Sequence, residues 1–277
     1  MKKFLLVLWI AFLTFSCSQY QKALKSEDLA VKYALAEKLY NEGKYTKALR
    51  LFEQVEPKYR GKPQGERTTY FYAMSLYKTK DYVLSGYHME RFVSSFPQSD
   101  KTEEVALLGA KSYYFLSPKY SLDQKDTNTA LDKLQNFINT YPKSEFFAEA
   151  NELYQELTGK LERKAFEVAR QYNKISEYPA SVKAFDNFLS EYPGSSFRED
   201  ALYYRVDSSF KYAENSIEYR KLERYKETKS AYDKLVSSFP ATKYVEKLQP
   251  VINKTKGEIE RLTLLTEQNK IQTQQRP

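Results

Sequence analysis

Cys17 and His88 are the only thiol and the only imidazole in the 277-residue chain, and they bound the chemistry it can do. One cysteine excludes an intramolecular disulfide, and one cysteine with one histidine excludes the four-ligand Cys/His zinc clusters. His88 stands beside Met89 and Glu90 on a helical pattern and reads as a surface or half-buried histidine without function. Carboxylates are plentiful, but an acid–base pair is defined by geometry, which composition does not supply. There is no Gly-rich phosphate loop and no nucleophile elbow. No catalysis, cofactor or metal is expected. The chain is instead rich in groups that recognise: 25 Tyr and 17 Phe among 44 Lys and Arg. Aromatic rings supply large contact area at low entropy cost, and a nearby cation can pair a carboxylate.

The N-terminus reads as an address. Lys2 and Lys3 precede an uncharged run from Phe4 to Phe15, followed by Ser16 and Cys17, the layout of a secretory signal. The run is shorter than the ~20 residues a helix needs to span a bilayer core, so residues 1–16 are expected to be removed. The Ser16-Cys17 junction resembles the lipobox of bacterial lipoproteins, except that Leu13 lies one step too early and Thr14 takes its place. That resemblance implies a Cys17 carrying diacylglycerol on its thiol and an acyl chain on its amine. Each buried CH₂ contributes ~0.8 kcal/mol and stable anchoring takes more than one chain, so such a cysteine would hold the protein on a membrane. The alternative is an incidental thiol at the end of an ordinary signal peptide. Ser18 to Gln21 contains no acidic residue, and so no signal for inner-membrane retention or surface export.

The formal net charge is +8, yet Lys and Arg alternate with Glu and Asp throughout, the pattern of solvated helix faces. An exported chain with that pattern is not expected to bind nucleic acid.

Four stretches repeat one design: Phe92 to Ser99, Phe137 to Ser144, Phe188 to Ser195 and Leu235 to Thr242. Each places apolar residues four apart, then an aromatic residue, a proline (Pro97, Pro142, Pro193 or Pro240), one variable residue and Ser or Thr. The proline stops a helix and the hydroxyl can cap the next. Upstream of each proline the pattern resembles the roughly 34-residue tetratricopeptide repeat, two helices with small residues where they cross. Leu35, Ala36 and Leu39 mark a first helix A, Gly43-Lys44-Tyr45 a turn, and Ala48, Phe52 and Val55 helix B. Tyr72, Ala73, Leu76, Ser85, Met89 and Phe92 mark the second pair; Gly109, Ala110, Tyr113, Ala130, Leu134 and Phe137 the third; Val168, Ala169, Tyr172, Ser181, Phe185 and Phe188 the fourth. The fifth pairs a helix A near Glu199 to Tyr212 with a long helix B from Ser216 to Phe239. The expected fold is all-α, a superhelical solenoid of about five helix pairs closed by a capping helix carrying Val245, Leu248, Ile252, Ile259 and Leu262. The expected divisions are a linker over 17–28, repeats one to three over 29–145, repeats four and five over 146–242, the cap over 243–267 and a disordered tail over 268–277.

In tetratricopeptide repeats the concave surface is lined by helix A positions next to the packing positions. Carried over, this places Tyr33 and Tyr40 from the first repeat, Arg67, Tyr70, Met74, Tyr77 and Lys78 from the second, and Lys111 and Tyr114 from the third along one peptide-binding groove. It suits an aromatic-rich peptide, with its C-terminal carboxylate on a basic side chain. The alternative is that these tyrosines pack on neighbouring repeats.

An exported lipoprotein of about five such repeats, each ending in aromatic-Pro-x-Ser/Thr, resembles the BamD family of β-barrel assembly lipoproteins, over about residues 17–265. The resemblance implies a lipid-anchored scaffold at the periplasmic face of the outer membrane. Its N-terminal repeats would read the C-terminal signal of unfolded outer-membrane proteins, and its C-terminal repeats would dock on a BamA-like barrel subunit. The long loop from Ser117 to Thr127 and the divergent fifth repeat depart from the pattern and leave the docking surface open. Two other readings stand beside it. A periplasmic adaptor for cell-wall synthesis or division would use the same repeats. A SusD-like nutrient-binding lipoprotein would stack glycans on aromatics, although that family is much longer and the one tryptophan here, Trp9, lies in the leader.

Overall fold

The computed structural model describes residues 19–274; the leader, the Cys17 anchor position and the end of the tail lie outside the described residues. Among these are twelve helices and no strand: α1 (19–25), α2 (Leu29–Asn41), α3 (Tyr45–Tyr59), α4 (Gly65–Lys78), α5 (Tyr82–Ser95), α6 (Thr102–Leu116), α7 (Lys125–Thr140), α8 (Phe147–Lys174), α9 (Tyr178–Glu191), α10 (Arg198–Glu214), α11 (Glu218–Ser238) and α12 (Val245–Gln274). No described helix is long and apolar enough to cross a membrane. The chain divides into two compact units at Leu157, inside α8, rather than between 145 and 146.

Two recurring turns build both units. The residue before proline is pushed out of the α region by the pyrrolidine ring, and Phe96, Tyr141, Tyr192 and Phe239 adopt nearly the same backbone, φ −131°, −124°, −121° and −134°. The Ser or Thr two places after the proline then bonds forward: Ser144 Oγ accepts from Phe146 N at 3.2 Å and Ser195 Oγ from Phe197 N at 3.2 Å. These hydroxyls hold the lead-in turn rather than cap the helix, because the reach of a Ser/Thr side chain is two residues along the backbone and the helices begin three residues on. The turn from helix A to helix B has its own signature, a residue with positive φ two places before a tyrosine: Gly43 (74°), Lys80 (63°) and Ser176 (66°). The next N–H reaches back five residues, from Lys44 to Leu39 O, Asp81 to Leu76 O and Glu177 to Tyr172 O, at 2.8–3.0 Å. That is the Schellman closure of a helix C-terminus.

In the first unit α2 to α7 pack on one another in chain order, and the helix A elements α2, α4 and α6 also touch in sequence. The crossings are made by small residues: Ala36, Ala48, Ser85 and Ala130 have no exposed surface. Gly86 lets α6 come so close that a Cβ there would meet Tyr113 Cε2 at 2.9 Å. Phe52, Phe92, Met89 and Leu134 fill the space between. In the second unit α9 to α12 follow the same order, around Phe185, Phe188, Leu202, Leu235 and Leu248. Ser85 pairs with Ser112 at 3.1 Å in one unit and Ser181 with Ser208 at 2.8 Å in the other, the same buried hydroxyl pair in equivalent repeats.

Three expectations need correction. The segment expected as a linker contains α1, and its Tyr20 and Ala23 are buried in the first repeat. Helix A of the fourth repeat is the end of the 28-residue α8, whose inward face carries Phe166, Ala169 and Asn173. Val168 and Tyr172, read as packing residues, sit on its flank, 45% and 38% exposed. Finally α12 runs to Gln274, past the expected end at 267, since no Gly or Pro interrupts it there.

Candidate peptide-binding face

The nine groove residues all lie on α2, α4 and α6 of the first unit, and the structure sorts them into three kinds. Met74 is 6% exposed and belongs to the core with Ala73, Met89, Phe92 and Val105, so it packs and lines no open groove. Tyr33 also packs: its ring meets Phe52 at 6.3 Å and Tyr59 at 6.1 Å, and its hydroxyl finds no hydrogen bond among the described residues.

Half-buried tyrosines form the second kind. Tyr40, Tyr70 and Tyr77 rest on the same core as Met74. Tyr40 meets Phe71 edge-on at 4.9 Å and Tyr45 at 5.2 Å, and burial, then Tyr70, holds its hydroxyl well above the usual phenol range. Tyr70 donates a long hydrogen bond to Glu104 at 3.5 Å; burial first, then that carboxylate, pushes it up to about 12. Tyr77 lies 5.8 Å from Tyr82 and 6.2 Å from Phe115. Tyr114 is 5.4 Å from Phe115 and is raised to about 12 by burial and by Glu156.

The basic residues are the third kind, and two of the three are already engaged. Arg67 pairs with Glu37 and lies 5.7 Å over the Phe71 ring. Lys111 pairs with Glu149 at 2.5 Å. With Tyr70–Glu104 these contacts form a ladder joining each helix A to the next, α2 to α4 to α6 to the start of α8. Lys78 alone of the three basic residues makes no ion pair among the described residues; it is exposed in the last turn of α4.

Two residues outside the nine expected groove positions complete the face, Phe115 and Tyr82, the latter expected only as a repeat packing position. Phe115 ends α6 with 46% of its surface exposed, and its ring stacks on Tyr82 at 4.7 Å and 26°. Tyr77, Tyr82 and Phe115 thus make an open aromatic cluster in the same stretch of the fold as Lys78. Tyr82 was legible as the residue after the turn, and Phe115 as an aromatic ending a helix next to Tyr114. That the two touch was not. Among the described residues the arrangement places exposed ring faces beside Lys78, which makes no ion pair there.

His88 lies away from this ladder, only 9% exposed, with its ring edge-on to Tyr72 at 4.6 Å and Tyr87 at 5.1 Å. Burial, then Arg91, lowers its pKa, so it packs as a neutral ring. Among the described residues no group of three or more His, Cys, Asp or Glu is placed to hold a metal ion.

In the second unit the same ladder joins α10 to α12. Tyr244 stacks on Tyr203 at 4.0 Å and donates to Asp200 at 2.7 Å, Lys243 pairs with Asp200 at 2.7 Å, and Lys254 pairs with Glu214. Burial raises the Asp200 carboxyl, but the bonds from Lys243 and Tyr244 outweigh it and hold it below its usual value. Exposed apolar residues remain at the start of α11 (Ile217 and Tyr219) and late in α12 (Leu264 and Leu265).

Comparison with known proteins agrees with the repeat reading. A family model described as an outer membrane lipoprotein, YfiO, matches residues 26–184 and 171–268. The outer membrane protein assembly factor BamD of Haemophilus influenzae is 23% identical over 211 residues, covering 73% of this chain and 80% of that protein. BamD of Neisseria gonorrhoeae is 24% identical over 220 residues, 73% of this chain and 82% of its own, and BamD of Rickettsia prowazekii 24% over 177 residues, 61% and 70%. The chain belongs to the YfiO family of outer membrane lipoproteins, the family of the BamD assembly factors.

Proposed function

We propose that this protein is a lipid-anchored scaffold of outer-membrane protein assembly, held at the periplasmic face through Cys17 and acting by binding rather than by catalysis. Its first unit takes the aromatic C-terminal segment of an unfolded barrel protein on the helix A face. The observation that carries this is the open cluster of Tyr77, Tyr82 and Phe115 beside Lys78, which makes no ion pair among the described residues. Rings on the cluster would receive the aromatic side chain, and Lys78 the terminal carboxylate, while Arg67 and Lys111 are spoken for by Glu37 and Glu149. The second unit docks on the barrel-forming, BamA-like subunit, a reading supported by the exposed Ile217, Tyr219, Leu264 and Leu265 on α11 and α12. The names of the similar proteins favour assembly over a cell-wall adaptor or a nutrient-binding lipoprotein.

The test is binding of a labelled barrel C-terminal peptide to the mature chain and to the Tyr70→Ala, Tyr77→Ala double variant. The double variant should bind at least tenfold more weakly while keeping its helical spectrum, since buried aromatic anchors commonly contribute 2 kcal/mol or more. Unchanged affinity would remove the groove assignment.

A further inference from the structure

α1, which begins at Gln19, two positions after Cys17 in the sequence, is part of the first repeat. α1 buries Tyr20 and Ala23 against Ala36, Leu39, Ala48, Leu51 and Phe52 of α2 and α3, and Lys47 Nζ lies 5.5 Å from the Tyr20 ring centre. Where α1 meets the α2–α3 turn there is a cavity of about 130 Å³. Gln19 and Tyr20 line it from one side, and Lys38, Lys44 and Lys47 from the other, with Glu42 between the lysines. Glu42 is held at 2.7 Å from Lys44 and 4.0 Å from Lys38, so one carboxylate is shared by two ammonium groups, and Lys47 lines the same cavity. The Tyr20 hydroxyl has no hydrogen-bond partner among the described residues.

We propose that this edge of the first repeat, with Lys38, Lys44 and Lys47, is a docking surface for the phosphate headgroups of anionic phospholipids in the membrane that holds the anchor. The proposal rests on lipid attachment at Cys17. An extended chain spans at most ~3.6 Å per residue, so Cys17 lies within roughly 7 Å of Gln19, which borders the cavity. A lipid on Cys17 therefore brings the α2–α3 turn into the headgroup layer, and the charge it presents there is positive. Covalent anchoring leaves this unit no long tether, and the lysines meet phosphate at short range, inside the ~8 Å screening length of physiological salt. The contact would set which edge of the repeat faces the bilayer and so keep the helix A face of α4 and α6 turned in a fixed direction.

The test uses the full mature chain with Cys17→Ala, so that no acyl chain masks a weak surface interaction, and low-salt vesicles of phosphatidylcholine with or without phosphatidylglycerol. The chain should bind only the phosphatidylglycerol vesicles. Each lysine near an anionic surface contributes about fivefold, so Lys38→Gln, Lys44→Gln and Lys47→Gln together should weaken binding roughly a hundredfold. The corresponding Arg variants should bind as the parent does, which separates charge from packing of Lys47 on Tyr20. A control with three exposed lysines of the second unit changed, Lys226→Gln, Lys234→Gln and Lys256→Gln, should keep its affinity. Equal loss in that control, or full binding by the first triple variant, overturns the proposal. The mass of the N-terminal peptide from membrane-purified native protein reads lipidation independently. An unlipidated Cys17 with lysine-dependent vesicle binding would sink the anchor and leave the surface; a lipidated Cys17 without such binding would do the reverse.

Discussion

Phe115→Ala tests the aromatic cluster with the least disturbance to the repeat. Fully burying a phenylalanine is worth about 1.5–3 kcal/mol, and 46% of Phe115 is open to a ligand, so covering that part contributes about 1 kcal/mol. A ligand ring seated on it adds an aromatic pair of about 0.5–1.5 kcal/mol. Losing both should weaken binding of an aromatic-ending peptide by about 2 kcal/mol, roughly 30-fold in Kd. The same substitution removes the stack on Tyr82 at 4.7 Å and the buried half of the ring, at a cost to stability of about 2 kcal/mol. Fluorescence anisotropy with a labelled barrel C-terminal peptide reads the first effect, and thermal unfolding followed by circular dichroism the second. A peptide without its terminal aromatic residue should bind the parent chain as weakly as the intact peptide binds the variant. Tyr219→Ala, at a residue 78% exposed in the other unit, should change nothing. An unaltered Kd for Phe115→Ala, in a chain that still melts cooperatively, refutes the cluster as the binding site.

Three further expectations concern the scaffold. Gly86→Ala drives a Cβ to 2.9 Å from Tyr113 Cε2 and should destabilise the first unit by about 1–3 kcal/mol, read as a lower denaturant midpoint. Lys80→Gly relieves a positive φ of 63° and should stabilise the same unit by about 1 kcal/mol; a loss of stability would show that the Lys80 side chain matters to the turn. Burial raises the phenols of Tyr70, Tyr77, Tyr113, Tyr192 and Tyr244 to about 12 from 10.0. Their neutral form is favoured in the fold, so their contribution is intact below pH 10 and is lost as pH rises from 10 through about 12. Unfolding free energy measured over that window should fall steadily, and a flat profile would contradict the burial of these hydroxyls.

The repeat architecture was legible because its punctuation is local. Pro97, Pro142, Pro193 and Pro240 force the preceding aromatic out of the helix wherever they occur, and the following Ser or Thr closes the turn within two residues, so each signal needs no distant partner. α8 was not legible as one element: only Gly159 interrupts it, a cost of about 1 kcal/mol that a long helix absorbs, and the repeat pattern, with Val168, Ala169 and Tyr172, marks its C-terminal end alone. The site was half legible. Tyrosines could be placed on helix A faces, but Glu37, Glu104 and Glu149 come from neighbouring repeats some thirty to forty residues away along the chain, and the engagement of Arg67, Tyr70 and Lys111 by them depends on tertiary stacking. The same holds for α1, whose Tyr20 and Ala23 are buried by Ala36, Leu39, Ala48, Leu51 and Phe52, residues farther along the chain.

The central claim, a scaffold in outer-membrane protein assembly, is tested most directly by purifying the tagged protein from detergent-solubilised membranes and identifying what accompanies it. The account predicts a large outer-membrane barrel with periplasmic repeat domains. Recovery of cell-wall enzymes or of a glycan transporter in its place would contradict the function while leaving the repeats as described.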